Sequence, residues 1–431
     1  MSEPMLLGEI NTPSGALVVL DPGLSRFWRH DGDPRSPRRT DGEEIDIGIV
    51  GPDAVAAGRA YDHEFDPRYL FDIPVDLAEQ IREQFNAFAA EHRFNARAER
   101  LSERVSHVER ARLAVEIGGG IGVVTYNRLW AVACRGLPLT GALPVLATPM
   151  PDGEFTGRWR CIDVVVMPGT EVVTTEPVQG VMVEHGQLIC ADLDALGEFR
   201  MGESLDGLGD FVFWGADAAS AAEAMQAAPA GDREFGWVNV AMAELDAVAE
   251  RTRGLIAEHR WRVAVDYRPH DNLERLNAQV RVNETRAGSV LLGGAQACGF
   301  DNRWGDGIFT VSRGLSRTGE LVRIRLDVGD EQTQRRMRWV WLMACRAIVS
   351  RLVWDDQQPP RFIERQPATR PEDSGWRISS GGESDQYMED SANFRLIQVR
   401  QLIDRYPMFK AVVEAEDGSL FHLEDDRYVP D

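Results

Sequence analysis

The apolar and polar positions divide this chain into stretches of different texture. Near its start, Ser14-Gly15 leads into Ala16-Leu17-Val18-Val19-Leu20, a short apolar run closed by Asp21-Pro22, which predicts a strand. The charged segment from Arg29 to Glu44 is rich in Asp, Gly, Pro and Arg and predicts a surface loop, with another strand over 45–50. Residues 76–92 place Leu77, Ile81, Phe85 and Phe88 on one stripe, with Asp76 as cap and Glu79 at the capping-box position, so a helix is predicted there. The charged continuation to Glu116 is read as helical with breaks, ended by Gly118-Gly119-Gly120.

From Ile121 the pattern turns to β. Residues 123–133, 143–147 and 159–167 are short apolar runs bounded by Gly and Pro, and 178–183 and 188–191 flank Glu184-His185-Gly186-Gln187 as a hairpin. A strand over 210–214 precedes helices over 217–228 and 242–257. Leu276, Ala278, Val280 and Val282 alternate with polar neighbours, as do Val322, Ile324 and Leu326, predicting antiparallel strands with one wet face. A helix is expected over 331–354, and Gln357-Gln358-Pro359-Pro360 follows as linker. Together these elements imply an α+β fold, mostly antiparallel sheets with packed helices. A large N-terminal part over 1–356, with 205–210 as the place where it could divide into two lobes, and a small α+β domain over 357–431 are expected.

Composition narrows the function classes. The net charge of −22 argues against nucleic acid or an anionic membrane as partner and is compatible with a basic protein. Lys410 is the only lysine, which disfavours Schiff-base chemistry. The five cysteines lie far apart without a CxxC pair, mostly in apolar runs, so free buried thiols in a reducing cytoplasm are expected. No signal peptide is expected, and Arg346 and Arg351 interrupt the apolar stretch at 339–354 well short of the roughly 20 residues a membrane span needs.

Chemistry-bearing constellations are few. Trp304-Gly305-Asp306-Gly307 reads as a tight turn with a packed Trp; the rival reading makes Asp301 and Asp306 an acid pair that, with His270, serves an enzyme of unknown reaction such as a metal-dependent hydrolase. His259, His270, Asp266 and Asp271 cluster in sequence, but without the spacing of a metal motif. Gly118–Gly122 lacks the strand-before, helix-after context of a phosphate loop, and there is no GxSxG elbow. The balance is against an enzyme; no cofactor and no metal are expected.

The C-terminal block differs. Residues 371–431 hold 14 acidic against 6 basic side chains, a net of −8. Ser374-Gly375-Trp376-Arg377 reads as a strand leading into a polar, acidic loop that closes on Tyr387-Met388. Carboxylates beside an aromatic and a methionine suit a basic, partly apolar partner, and equally suit a solvated loop pinned by its Tyr and Met.

Ser374-Gly375-Trp376-Arg377, Ser380-Gly381, Glu383, Asp385 and Tyr387-Met388, continued by Asp390, Asn393-Phe394 and Tyr406-Pro407, resemble the signature of the bacterial immunity protein thirty-three family, also called domain of unknown function two-one-eight-five. Gly382, Ser384 and Gln386 stand where acids are common in that family. The resemblance, over about 361–429, implies a cytoplasmic protein of a polymorphic toxin system that binds and neutralises a cognate protein toxin. Trp376, Glu383, Asp385 and Tyr387 would then lie near the contact surface, with Trp376 alternatively in the core. Ser14-Gly15 to Asp21-Pro22 and Trp304-Gly305-Asp306-Gly307 with Phe309 and Val311 more weakly resemble the end motifs of domain of unknown function four-two-four-one, which implies that residues 6–330 form one unit in which the two motifs meet.

Overall fold

The computed structural model describes residues 3–28, 44–61, 67–127 and 129–431. The loop expected at 29–44 thus lies, Glu44 apart, outside the described residues. Two compact units divide the chain, Met1–Gly329 and Asp330–Asp431.

The first unit is built on two six-stranded antiparallel sheets. One runs in the order 5–10, 143–149, 159–165, 321–327, 307–315, 174–183; the other 287–292, 295–301, 187–192, 16–20, 129–135, 121–126. The edge strands 5–10 and 174–183 of the first sheet pack against the last two strands at either end of the second, 287–292 with 295–301 and 121–126 with 129–135. The outer face of the second sheet is covered by the helices His107–Ile117 and Asn272–Val282, through Val108, Ala111, Leu276 and Val280. Strands covered on both faces need apolar residues throughout, which is why Ala16–Leu20 reads as an unbroken apolar run. Leu321–Asp327 alternates because its other face is polar: Arg325 pairs Asp163 through two contacts of 2.8 Å.

Two smaller sheets complete this unit. Tyr69–Pro74, Glu44–Val50 and Arg97–Arg100 pack against the helix Ala78–Glu91. Arg97–Arg100 is a strand where a helical continuation was expected; it pairs with Glu44–Val50, burying Ala98. Residues 208–269 form a four-stranded sheet of their own, with the helices Ala218–Met225 and Met242–His259.

The alternating stretch around 276–283 is a helix, not a strand. Asp271 accepts the Glu274 amide at 2.8 Å and caps Asn272–Val282. Leu276 and Val280, one turn apart, are buried, while Ala278 is exposed and Val282 is 80% exposed.

In the second unit the helix Glu331–Ala344 stops at Cys345, whose backbone is extended. The strand Arg346–Ser350 follows where helix was expected, because Ala347 and Val349 are buried on one face while Ile348 turns to the other. This strand lies second from the edge of a six-stranded sheet ordered 394–398, 346–350, 373–379, 362–365, 420–424, 427–430. Its pairing with Asp373–Ser379 is parallel. Gln357-Gln358-Pro359-Pro360 is therefore a connection inside this unit, between Arg351–Trp354 and Phe362–Arg365. Trp376, Ile378, Ile363, Ala347 and Val349 form the core under the sheet with Leu342, Leu402 and Phe409 from the helical segments.

Candidate functional site

The loop after Asp373–Ser379 is braced by the residues that make its sequence distinctive. Gly375 has φ 81°, and a Cβ there would stand 2.3 Å from the Gln366 carbonyl oxygen. Gly381 has φ 79°, and a Cβ would meet the Phe362 ring at 2.4 Å. The Ser374 hydroxyl donates to the Arg346 carbonyl at 3.0 Å, tying the paired strands together. Ser384, standing where the resemblance expects an acid, caps the short helix Asp385–Glu389 by accepting the Tyr387 amide at 3.2 Å. The Tyr387 hydroxyl donates to the Asn393 carbonyl at 3.1 Å, and the Asn393 amide returns a bond to the Tyr387 carbonyl at 2.9 Å.

The four residues expected near the contact surface thus separate. Trp376 is a core residue and not a surface one: it is fully buried, its Nε1 donates to the Val413 carbonyl at 3.1 Å, and its ring meets Phe409 edge-on. Glu383 is half-buried and accepts the Ser380 amide at 2.8 Å. Burial works against its charge, but the nearby Ser350 hydroxyl and the Ser380 amide outweigh this and hold the carboxyl below its usual range. Tyr387 is half-buried and closes the loop; of the four only Asp385 is exposed, beside exposed Glu389 and Asp390, the latter accepting the Ala392 amide at 2.9 Å.

Beside this loop lies a surface that sequence reasoning missed. All the helical cover named above packs on the Trp376 face of the sheet. On the opposite face, Leu396, Ile348, Arg377, Glu364 and Leu420 stand in one row by strand register. Phe362, paired with Ser379 and His422, begins the next row. Phe362, Met388, Leu396 and Leu420 are 41%, 50%, 63% and 40% exposed, far more than an apolar side chain in a sheet core. A groove of about 260 Å³ runs among Ile348, Phe362, Met388, Phe394 and Leu420. Phe394–Gln398 and Leu420–Glu424 each place adjacent apolar residues on opposite faces, and an apolar side chain on an open sheet face has the same sequence signature as one in a core.

The alternative site does not assemble. Asp301 ends the strand Ala295–Asp301, and its Oδ1 accepts the Arg303 amide at 2.6 Å. Asp306 is exposed in the following turn. That turn is organised by Asn302, whose Oδ1 accepts the Trp304 and Gly305 amides at 2.7 and 2.9 Å, with Trp304 buried. His270 lies on the four-stranded sheet, between Asp206 at 3.2 Å and Asp210 at 3.1 Å. None of the three lines the 760 Å³ cleft of this unit, where Arg26, His107, Tyr267, Arg268 and Glu274 come together from distant parts of the chain. Among the described residues, no group of three or more His, Cys, Asp or Glu is arranged to hold a metal ion. No helix among them is long and apolar enough to cross a membrane. All five cysteines are buried free thiols, and burial pushes Cys298 up to about 12.

The hairpin turn at 184–186 is held from two sides, by Asp21 and by Asn302, two residues before Trp304. Buried Asp21 accepts the Glu184 and His185 amides at 2.7 and 2.8 Å, and the Asn302 amide donates to Gly186 at 3.0 Å.

Comparison with known proteins gives one match. The family model described as Immunity protein Imm33 domain matches residues 347–429, from the strand Arg346–Ser350 almost to the end of the chain. No curated protein and no solved structure matches the chain.

Proposed function

We propose that this protein is an immunity-type protein of a polymorphic toxin system, acting in the cytoplasm by stoichiometric binding of a cognate protein toxin. The observation that carries the reading is the match of an immunity domain to residues 347–429, which take in every strand of the second unit's sheet and the braced acidic loop. Binding needs no assembled catalytic group, and the geometry fits: the loop's backbone is fixed by internal hydrogen bonds while Asp385, Glu389 and Asp390 are directed outward. A preorganised loop loses little conformational entropy on binding. The acidic surface favours a basic partner and disfavours nucleic acid and anionic membrane.

The test uses the toxin domain encoded beside this gene in its native host. It is expressed inducibly in a laboratory bacterium, alone and with the full-length protein. Restored growth and co-elution of the two chains at fixed stoichiometry are expected. Absence of both protection and co-elution overturns the reading.

A further inference from the structure

The immunity domain's family match does not say which of its surfaces meets the partner, and the residues most distinctive in its sequence are spent on bracing the loop. We infer that the docking surface is the open face of the second unit's sheet together with the acidic loop at its edge. Its occupant is a basic segment of the protein toxin that places one apolar side chain in the groove among Ile348, Phe362, Met388, Phe394 and Leu420. This rests on the proposed immunity reading and adds the surface and the chemistry of its partner.

Three observations converge on this face. First, Ile348, Phe362 and Leu420 share one face by strand register and line a single groove with Met388 and Phe394, so they are not scattered exposures. Second, at about 260 Å³ the groove lies below the roughly 300–1,000 Å³ typical of small-molecule sites, and it has the scale of an anchor pocket for one large side chain. Third, the charge around it is one-sided. Arg377 is held by both oxygens of Asp373 at 2.9 and 2.8 Å, which neutralises the groove's cation. Glu364 has a hydrogen bond from Gln366 at 3.0 Å and lines the groove, and Asp385, Glu389 and Asp390 stand on the neighbouring loop. A buried apolar anchor supplies affinity and residence time, and the acidic surround selects and orients a basic partner.

The experiment titrates the full-length protein and its variants with the neighbouring-gene toxin domain, inactivated at its own active site, by isothermal calorimetry. Met388→Arg places a cation over the groove, and Asp385→Arg reverses a charge on the loop without touching the sheet. Val340→Arg is the control: Val340 is 54% exposed on the helix Glu331–Ala344, outside the proposed surface. Met388→Arg and Asp385→Arg are expected to weaken binding at least tenfold and Val340→Arg to leave it within twofold, with thermal midpoints unchanged in all three. If the parent chain binds and both surface variants bind equally well, the surface assignment fails while the immunity reading stands. If the parent chain does not bind, the immunity reading fails and takes the surface with it. A Met388→Arg-sensitive dimer of this chain alone, seen by sedimentation, assigns the face to self-association and overturns the inference.

Discussion

Truncating Trp376 to alanine removes an indole packed edge-on against Phe409 and one of the two donors to the Val413 carbonyl, leaving that from Arg365. A loss of about 3–5 kcal/mol is expected, measured as a fall in the urea midpoint of the second unit's transition. Asp385→Ala, on a fully exposed side chain, is expected to change stability by no more than about 0.5 kcal/mol. The contrast separates a packing residue from an exposed one, and equal stability of the two variants would contradict the burial of Trp376. Arg110 is a second case in which one residue carries much. It is buried, with NH1 at 3.0 Å from both oxygens of Asp72, NH2 at 3.0 Å from both oxygens of Asp46, and its guanidinium 4.1 Å from the Phe71 ring centroid. Removing one partner of a buried ion cluster leaves uncompensated charge, so Arg110→Met is expected to cost about 3–5 kcal/mol by urea unfolding. A near-neutral Arg110→Met would mean that Arg104, which also pairs with Asp72 and approaches Asp46, compensates the two carboxylates alone.

At the scale of elements, the helix Asn272–Val282 shows where period-two reasoning fails. Leu276 and Val280 are two strand repeats apart and also one helical turn apart, so alternation alone does not choose between them. What decides is Asp271, a cap with Glu274 three residues on, together with the exposure of Ala278 and Val282. Asp271 also accepts the Gly202 amide at 2.6 Å, so Asp271→Ala is expected to cost about 1–2 kcal/mol, seen as a lower thermal midpoint. The strand Arg346–Ser350 was hidden for a related reason: it continues directly from a helix without Gly or Pro to mark the change. Strands such as Ala16–Leu20, Leu143–Pro149 and Gln187–Asp192 were legible because Gly, Pro or Asp closes their runs, whereas Arg97–Arg100 carries no such mark. The loop's membership was legible from its motif, but its division into braces and outward groups depended on contacts from Ser350, Phe362 and Asn393, which sequence does not place. His270 supplies a pH-dependent link between the strands ending at Pro269 and beginning at Leu208. Burial opposes its protonation, but Asp210 and Asp206 outweigh burial and raise its pKa above the usual 6.5. A raised folded pKa means that the link stabilises fully below about pH 6.5, the unfolded value, and is lost as pH rises through the folded one. The stability difference between the parent and His270→Gln, followed by urea unfolding from pH 5.5 to 8.5, is expected to shrink with rising pH; a difference that grows would refute the assigned direction.

In the proposed complex, the charge of −22 and the groove of the second unit would act on different steps of partner capture. Long-range attraction between an acidic protein and a basic toxin domain acts during diffusion, before any apolar contact forms, and is screened over a Debye length of roughly 10 Å at 0.1 M salt. The apolar anchor acts only after docking and is nearly indifferent to salt at these concentrations. Raising sodium chloride from 50 to 500 mM is therefore expected to slow association with the neighbouring-gene toxin domain by about tenfold or more while changing dissociation little. Met388→Arg is expected to do the reverse, accelerating dissociation at every salt concentration, since it strikes the groove. Stopped-flow fluorescence resolves both rates. An association rate that ignores salt would remove charge as the selecting feature, and a Met388→Arg effect confined to association would show that the groove holds no anchor in the complex.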